Sequence, residues 1–212
     1  MTLSSHRLVW AHDHSKTRHH HGDLKRALIQ AGIDLLEEGG LEALTLRKCA
    51  ARAGVSHAAP AHHFAGMSGL ISAIAEEGFD IFSKYMTDAI EAGEQTDRER
   101  LRSICRGYLQ FGLSHSGLLK VMFGEHGLGI HAPRKDNREE AEAYLILRGV
   151  CAPFVPEGED PHIVEAQVWS LIHGFTLLYI GGEFGCTSMP IEDSPFEAVM
   201  ALIDRIGTQA KT

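Results

Sequence analysis

The sequence lacks several features that would place it in a specialised class. It has only four cysteines (Cys49, Cys105, Cys151 and Cys186), and no two of them form a CxxC pair. Three lie inside apolar helical patterns, so we expect buried, reduced thiols rather than a disulfide framework. No apolar run approaches the roughly 20 residues that a membrane span needs, and the N-terminus carries His, Asp and Arg where a signal peptide is apolar. These absences favour a cytoplasmic protein with no membrane contact.

Positive charge is also scarce, and it is unevenly distributed. The formal net charge of the 212 residues is -8. Residues 1–64 contain eight Lys/Arg, six Asp/Glu and nine of the fourteen histidines, whereas the remainder is strongly acidic. A mildly basic N-terminal part on an acidic body favours a protein that meets a polyanion through its N-terminal part alone.

Runs of alternating β-branched residues bounded by turns are missing, and so is any internal repeat. Apolar residues instead recur at helical spacing, which predicts an all-α fold. Residues 1–19 have no such period and are expected to form a flexible arm. Asp23 is the candidate N-cap of a first helix that Gly39 and Gly40 end. Further helices are predicted over residues 45–53, 56–64, 68–92, 97–114, 117–123, 137–150, 161–180 and 194–206, with loops at 124–136 and 154–160.

Two of these predicted helices are short and lie very close together. The first begins at the cap Thr45 and stops at Gly54, and Ser56 is the expected cap of the next. Val55 is expected to fill the angle between them. Two short helices around a tight glycine-containing turn are typical of a helix-turn-helix, whose second helix enters the DNA major groove. Spacing alone leaves a second interpretation open, because similar hairpins occur in proteins that never bind DNA.

Five ordered motifs resemble the DNA-binding domain of the TetR family, and the resemblance covers about residues 20 to 79. They are His20-His21-Gly22-Asp23-Leu24, Glu38-Gly39-Gly40, Leu44-Thr45-Leu46-Arg47, Ala53-Gly54-Val55-Ser56 and His62-His63-Phe64. Residues 169–174 also resemble a Trp-His-Gly signature in the C-terminal domain of one TetR subgroup. The resemblance implies a three-helix DNA-binding head over residues 20–66 and a ligand-binding body over residues 67–212. It also implies dimerisation through the last two helices, where we expect Met200 and Ile203 to contribute.

The resemblance further implies which residues meet DNA. Thr45 is expected to bind a phosphate beside Arg47, and the predicted recognition helix is expected to present Ser56, His57, Ala58, Ala61, His62 and His63 to the groove. Ala61 and Met67 depart from the family pattern, which often has an aromatic residue and a lysine there, so the electrostatic contribution to binding should be weaker. Arg7, Lys16 and Arg18 of the arm are candidates to replace that charge. Pro60 removes an early helix hydrogen bond, so this helix is expected to be short or bent.

A small apolar or amphipathic effector is the expected ligand of the body. Trp169 and His173 lie one helical turn apart and therefore share a face. His173 is a candidate polar group that orients a ligand in an apolar pocket, and the alternative is a core histidine. Further candidate wall residues, each equally compatible with simple core packing, are Tyr108, Phe111, Met122, Phe123 and Leu147.

Several histidine groups admit more than one interpretation. The run over residues 19–21 could suggest a metal site, but three consecutive histidines cannot all face one ion from a helix. A zinc site could combine Glu125 with His115, His126, His131 and His173, although no paired spacing supports it. No metal or other cofactor is therefore expected. Protonation of His62 and His63 would strengthen phosphate contacts as the pH falls, and exposed histidines without that role are the alternative.

The function that these observations favour is a homodimeric repressor that binds a palindromic DNA operator and releases it when an effector occupies the body. The effector would favour a spacing between the two heads that no longer matches one turn of DNA, about 34 Å. The rival is a helical enzyme or binding protein in which the N-terminal hairpin is only structural. Nothing in the sequence supports catalysis: it has no suggestive Ser/His/Asp set, no GxxxxGK[ST] loop and no carboxylate pair flanked by His.

Overall fold

The computed structural model of the chain describes residues 15–124, 142–185 and 190–207, with side chains from residue 23 onward. Within these ranges the chain is all-α and contains no strand, as predicted. The helices are α1 Ser15–Ala43, α2 Leu46–Arg52, α3 Gly66–Ala92, α4 Asp97–Ser114, α5 Ser116–Phe123, α6 Glu142–Cys151, α7 Pro161–Ile180 and α8 Phe196–Ile203. Short 3₁₀ turns lie at Ala59–His62, Ala152–Phe154 and Ile191–Asp193.

The N-terminal boundary of α1 differs from the prediction. The helix begins at Ser15, so Asp23 is not its N-cap and the last residues of the expected arm are helical. Residues 15–22 contain no proline, and Gly22 alone costs only about 1 kcal/mol relative to alanine, so nothing in this run stops a helix. Residues 1–14, residues 125–141 and Cys186 lie outside the described residues.

The predicted interruption of α1 at Gly39 and Gly40 is confirmed. Gly39 has φ -152° and ψ 18°, and Gly40 has φ 66° and ψ -167°, so neither residue is helical. Gly40 is suited to this left-handed backbone because it has no Cβ. The chain then passes through the buried Leu44 to Thr45, whose side chain accepts the N–H of Lys48 and caps α2 as predicted.

The end of α2 is fixed by a tightly hydrogen-bonded turn. Gly54 N–H donates to the Ala51 carbonyl at 3.2 Å, and Val55 N–H donates to the Ala50 carbonyl at 3.0 Å. With Gly54 at φ 69°, these two bonds form a Schellman motif. Val55 is half-buried and packs against the core, which agrees with its predicted position in the angle after α2.

The segment predicted as a recognition helix is a single 3₁₀ turn, Ala59–His62. Ser56 was expected to cap a helix, and this is wrong: Ala58 precedes the turn, without a side-chain hydrogen bond. Pro60 is the physical reason, since it has no N–H to donate and disfavours helical backbone before it. Pro60 is buried, and its carbonyl accepts the N–H groups of His63 at 3.0 Å and Phe64 at 2.9 Å. The expectation of a short segment is confirmed.

The core of the body forms where α3 packs against α4, α5 and α6. Phe82 of α3 is almost completely buried, with ring centroids 4.9 Å from Tyr108 and 5.0 Å from Phe111, both on α4. Cys49, Cys105 and Cys151 are buried free thiols, as predicted. Burial raises the pKa of Cys105 and of Cys151 to about 12, so both thiols stay protonated at neutral pH.

α1 contacts the body at the N-terminus of α5. The Glu37 carboxylate accepts the backbone N–H groups of Gly117 and Leu118, each at 3.0 Å. A helix N-terminus has unsatisfied N–H groups and a partial positive charge, so a carboxylate is favourable there. Gly117 is required by the close approach, because a Cβ would lie 2.5 Å from the Leu36 carbonyl oxygen.

The last helix, α8, is held against the start of α4. The Arg98 guanidinium donates to the carbonyls of Ile203 at 3.0 Å and Ile206 at 2.9 Å, and Arg102 pairs with Asp204 at 2.5 Å. The α8 face with Met200 and Ile203 is completely buried inside the chain. The expectation that these two residues contribute to a dimer interface is therefore wrong, because helical periodicity identified an apolar face but not what covers it.

α7 is long and apolar enough, by length and composition, to cross a membrane. Glu165, Gln167 and His173 interrupt its apolar residues, as the expectation of no long apolar run requires, but its mean hydropathy is still high enough for this test. One face of α7 packs against α4, α6 and α8. The other face leaves Ile163, Leu177 and Leu178 exposed.

Replacing Gly54 with Ala is expected to lower the free energy of unfolding by about 1 to 2 kcal/mol, the cost of left-handed backbone for an L-residue. Nothing lies within 4 Å of a Cβ at this position, so backbone strain is tested alone. Gly149 of α6 is equally open but helical, and Gly149→Ala should raise the free energy of unfolding by about 0.4 to 1 kcal/mol. Urea denaturation measures both changes in the free energy of unfolding. A change of the same sign and size in the two variants would contradict the role of Gly54 as a left-handed residue.

Candidate functional site

The residues predicted to contact DNA are almost all exposed in the head. Thr45, Arg47, Ser56, His57, Ala58, Ala61 and His62 are exposed, and His63 is half-buried. Thr45 Oγ1 accepts the Lys48 N–H at 3.1 Å, and a hydroxyl that accepts one bond can still donate its proton to a phosphate oxygen. Thr45 is therefore positioned for the phosphate contact that the sequence predicts.

Two buried residues fix the outward direction of the turn after α2. Pro60 and Phe64 point into the core, while His57 and His62 lie on either side of Pro60 and face solvent. Imidazole N–H groups can donate to base edges or to phosphates. The short turn thus presents His57 and His62 without a full recognition helix.

The cations of α2 differ in their availability for DNA. Arg52 donates two parallel hydrogen bonds to the Glu38 carboxylate, at 2.7 Å and 2.5 Å, which raises the pKa of Arg52 and lowers that of Glu38. This pair links α2 to α1. Arg47 and Lys48 are exposed and pair with no carboxylate among the described residues, so their charge remains available. Lys48 was not predicted as a contact, although it follows the Thr45 cap directly.

A narrow apolar cavity lies between α3, α4, α6 and α7 in the body. Only about 20 Å³ of it is wide enough to admit a water molecule. The lining residues are Phe82, Met86, Ile104, Tyr108, Ala143, Leu147, Val168, Trp169 and Ile172. Three of them, Tyr108, Leu147 and Trp169, were predicted as ligand-binding residues. The volume open to a water molecule is far below the roughly 300 Å³ of the smallest ligand pockets, so a ligand can enter only if the walls separate.

The other predicted ligand-binding residues divide into two groups. Phe111 and Met122 are completely buried and do not line this cavity. Phe123 and His173 lie beside its wall, with ring centroids 5.2 Å apart, and each also contacts Trp169, at 5.8 Å and 6.3 Å. The structure therefore brings Phe123, Trp169 and His173 together.

Six lining residues were missed, namely Phe82, Met86, Ile104, Ala143, Val168 and Ile172. Helical periodicity marks each of them as buried but does not show which buried faces leave space between them. The helical neighbours of the predicted residues offered a partial signal, since Ile104 lies one turn before Tyr108 and Ile172 lies one turn after Trp169.

A neutral polar pair lies at the edge of the cavity. The hydroxyl of Tyr108 and Nδ1 of His173 are 2.6 Å apart. Burial raises the pKa of Tyr108, although the Trp169 indole N–H partly offsets this as a hydrogen-bond donor, and burial lowers the pKa of His173. Both side chains are therefore uncharged at neutral pH, so the polar end of this apolar space carries no formal charge.

A second polar group joins α6 to the start of α7. Glu165 is buried, and its Oε2 accepts the Tyr144 hydroxyl at 2.8 Å and lies 2.9 Å from His162 Nδ1. The hydrogen bond and charge of Glu165 raise the pKa of His162. Among the described residues, no group of three or more His, Cys, Asp or Glu side chains could hold a metal ion. The zinc ligands considered from the sequence include Glu125, His126 and His131, which lie outside that part of the chain.

Both parts of the chain match family models. Residues 28–74 match the bacterial regulatory proteins of the tetR family, and residues 101–203 match a tetracyclin repressor-like C-terminal domain. The chain belongs to the TetR family of transcriptional regulators. This confirms the resemblance and the functional class, a DNA-binding transcriptional regulator. The family and the curated relatives are regulators rather than enzymes.

Individual relatives are distant. The HTH-type transcriptional regulator BetI 1 of Chromohalobacter salexigens is 23% identical over 130 residues, which cover 61% of this chain and 64% of BetI 1. The match thus spans slightly less than two thirds of that relative.

The matches to solved structures cover more of the chain than the match to BetI 1 does. A protein of unknown function from Rhodococcus sp. RHA1 has a TM-score of 0.67 and 28% identity, covering 89% of this chain and 95% of its own. FadR from Bacillus subtilis in complex with stearoyl-CoA has a TM-score of 0.62 and 17% identity, covering 87% and 99%. The likeness to FadR shows the fold alone.

Replacing Thr45 with Ala should weaken binding of this TetR-family head to all duplex DNA sequences alike, because a phosphate contact carries no base information. The same change removes the α2 cap, which should lower the free energy of unfolding by about 1 kcal/mol. Thr45→Ser is the matched control, since it retains the hydroxyl. Fluorescence anisotropy on two unrelated duplexes measures both variants. A serine variant as weak as the alanine variant would refute the hydroxyl contact.

Proposed function

We propose that this regulator is a cytoplasmic homodimer that represses transcription from a palindromic operator and releases it when a small apolar or amphipathic effector fills the body cavity. The observation that carries the proposal is a closed apolar cavity between α3, α4, α6 and α7, whose wall contacts α5, together with hydrogen bonds from α5 to the head. The head supplies the DNA contacts at Thr45, Arg47, His57 and His62. The enzyme alternative gains no support, since the cavity is lined by apolar side chains and one tyrosine.

The proposed dimer interface is the uncovered outer face of α7 and α8. Ile163, Leu177 and Leu178 of α7 and Leu202 of α8 are 38% to 50% exposed. Gly174 lies on α7, and a Cβ there would meet nothing within 4 Å, so packing inside one chain does not require a glycine at this position. Close approach of a second helix would use that open position. An obligate interface of this kind buries more than about 2,000 Å² in total.

The proposed signal passes through α5. Effector entry into a space this narrow requires its walls to separate, and Trp169 on the wall contacts Phe123, the last residue of α5. The first turn of α5 is bonded to Glu37 of α1. A shift of α5 would therefore change the position of the head relative to the body. An effector that binds the shifted state more tightly moves the population toward it.

The dimer and its DNA binding can be tested together. The unmodified protein should be a dimer by light scattering and should bind duplex DNA from upstream of its own gene, with affinity that falls steeply with salt. Gly174→Leu combined with Leu178→Glu should give a folded monomer that has lost at least tenfold in affinity for that DNA, because one head holds only one half-site. Gly149→Leu, on the equally open α6 position, should remain a DNA-binding dimer. A monomeric unmodified protein would contradict the proposal.

Removing the Glu37 carboxylate should loosen the head from the body. Glu37→Ala leaves two α5 N–H groups without their acceptor, so the free energy of unfolding should fall by about 1 to 2 kcal/mol. Affinity for the upstream DNA should also fall, because the head positions become less defined.

Glu42→Ala is the matched control, since it removes an exposed carboxylate from the same end of α1. Its effect on stability should be within about 0.5 kcal/mol. Chemical denaturation and DNA titration measure both variants. Equal losses in Glu37→Ala and Glu42→Ala would show that net charge, rather than the α5 contact, is responsible.

A further inference from the structure

At the polar end of the cavity, the identity of the donor and of the acceptor in each hydrogen bond determines which chemical group of a ligand can bind there. We propose that the effector carries an uncharged hydrogen-bond acceptor, such as a ketone or ester oxygen, and that Nε2–H of His173 binds it. This inference rests on the proposed function, in which the cavity receives an effector, and deepens it by naming the chemical class.

The direction of the hydrogen bond is set by the Tyr108 hydroxyl. Its oxygen lies 2.6 Å from His173 Nδ1. That distance is typical of an O–H donor and shorter than the usual range of an N–H donor. The opposite arrangement would leave the buried Tyr108 proton without an acceptor among the described residues, at a cost in stability.

The state of His173 follows from that bond. A neutral imidazole has one ring proton, and because Nδ1 accepts from Tyr108, the proton lies on Nε2. Burial lowers the pKa of His173, which keeps the ring neutral at physiological pH. In the described part of the chain, no group bonds to Nε2. A single N–H donor therefore remains on a residue that lies beside the cavity wall, in ring contact with Trp169.

Charged ligands are disfavoured by the walls. None of the nine lining side chains is ionised at neutral pH, so a carboxylate or ammonium would lose its hydration without a counter-ion. An ammonium would also bring its own donors to the His173 donor. Glu165 is one turn before Trp169 and its buried Oε1 has no partner among the described residues, but it does not line the cavity.

Four probes that share one ring-plus-two-carbon skeleton test the inference by calorimetry. Acetophenone is a neutral acceptor, ethylbenzene has no polar group, 1-phenylethylammonium is a cation and phenylacetate is an anion. Acetophenone should bind roughly 2- to 10-fold more tightly than ethylbenzene, the range for one neutral hydrogen bond. Both ions should bind at least about tenfold more weakly than acetophenone.

Two variants test whether the preference for acetophenone over ethylbenzene depends on the Tyr108–His173 pair. Tyr108→Phe removes the bond that sets the His173 tautomer, so the preference for acetophenone over ethylbenzene should shrink to below about twofold. Tyr85→Phe is the matched control, because Tyr85 also faces a histidine, with its hydroxyl 3.3 Å from Nε2 of His115 outside the cavity. It should retain the preference. Tyr108 acts here as a positioning residue, and a merely structural role would weaken all probes alike.

A measurement on the unmodified protein avoids any folding defect of the variants. Nitrogen NMR of the His173 ring should show the proton on Nε2 and a bare Nδ1. A proton on Nδ1, or an ion that binds as tightly as acetophenone, would overturn the inference and leave the effector cavity standing. If none of the four probes binds, the cavity is not an effector site, and that part of the proposed function falls together with the inference.

Discussion

The hydrogen bonds between the Glu37 carboxylate and the N-terminus of α5 join the two parts of the chain, beside the packing of α3 against α1. Gly117 lets α5 begin directly against the backbone of α1, where any side chain would collide with the Leu36 carbonyl oxygen. The opposite end of α5 is Phe123, beside the cavity wall. Eight helical residues extend about 12 Å, so α5 is a second short connection from the head to the cavity region, beside α3, which packs on α1 and carries Phe82 of the cavity wall.

α4 joins the remaining parts of the body. Its first turns hold α8 through Arg98 and Arg102, its middle carries Tyr108 of the polar pair, and its end leads directly into α5. The outer face of α8 contributes to the proposed dimer interface, so the position of that interface and the polar end of the cavity are set by the same helix. The proposed dimer interface would fix the separation of the two heads, and the cavity is proposed to change that separation. Both therefore depend on α4.

The features that the sequence predicts correctly are those that depend on residues close together in the chain. α4 and α7 begin and end where predicted, because apolar periodicity and, for α7, the proline at its first residue are local signals. Pro60 correctly predicted a weakened recognition segment, but not that only one turn would remain. The Tyr108–His173 bond joins residues 65 positions apart, so no periodicity could reveal it. Likewise, Met200 and Ile203 were correctly identified as apolar, but their burial inside one chain depends on tertiary packing.

The neutrality of the polar pair has a consequence for how such a cavity selects its ligand. A charged recognition group would bind its counter-ion strongly, but burying it inside four helices would cost several kcal/mol unless a partner were always present. Tyr108 and His173 satisfy each other when the cavity is empty and still leave one donor. The proposed effector must therefore supply both apolar surface and one acceptor to offset the separation of the walls. In the proposed mechanism, selectivity and the closed, DNA-binding state depend on the same hydrogen bond.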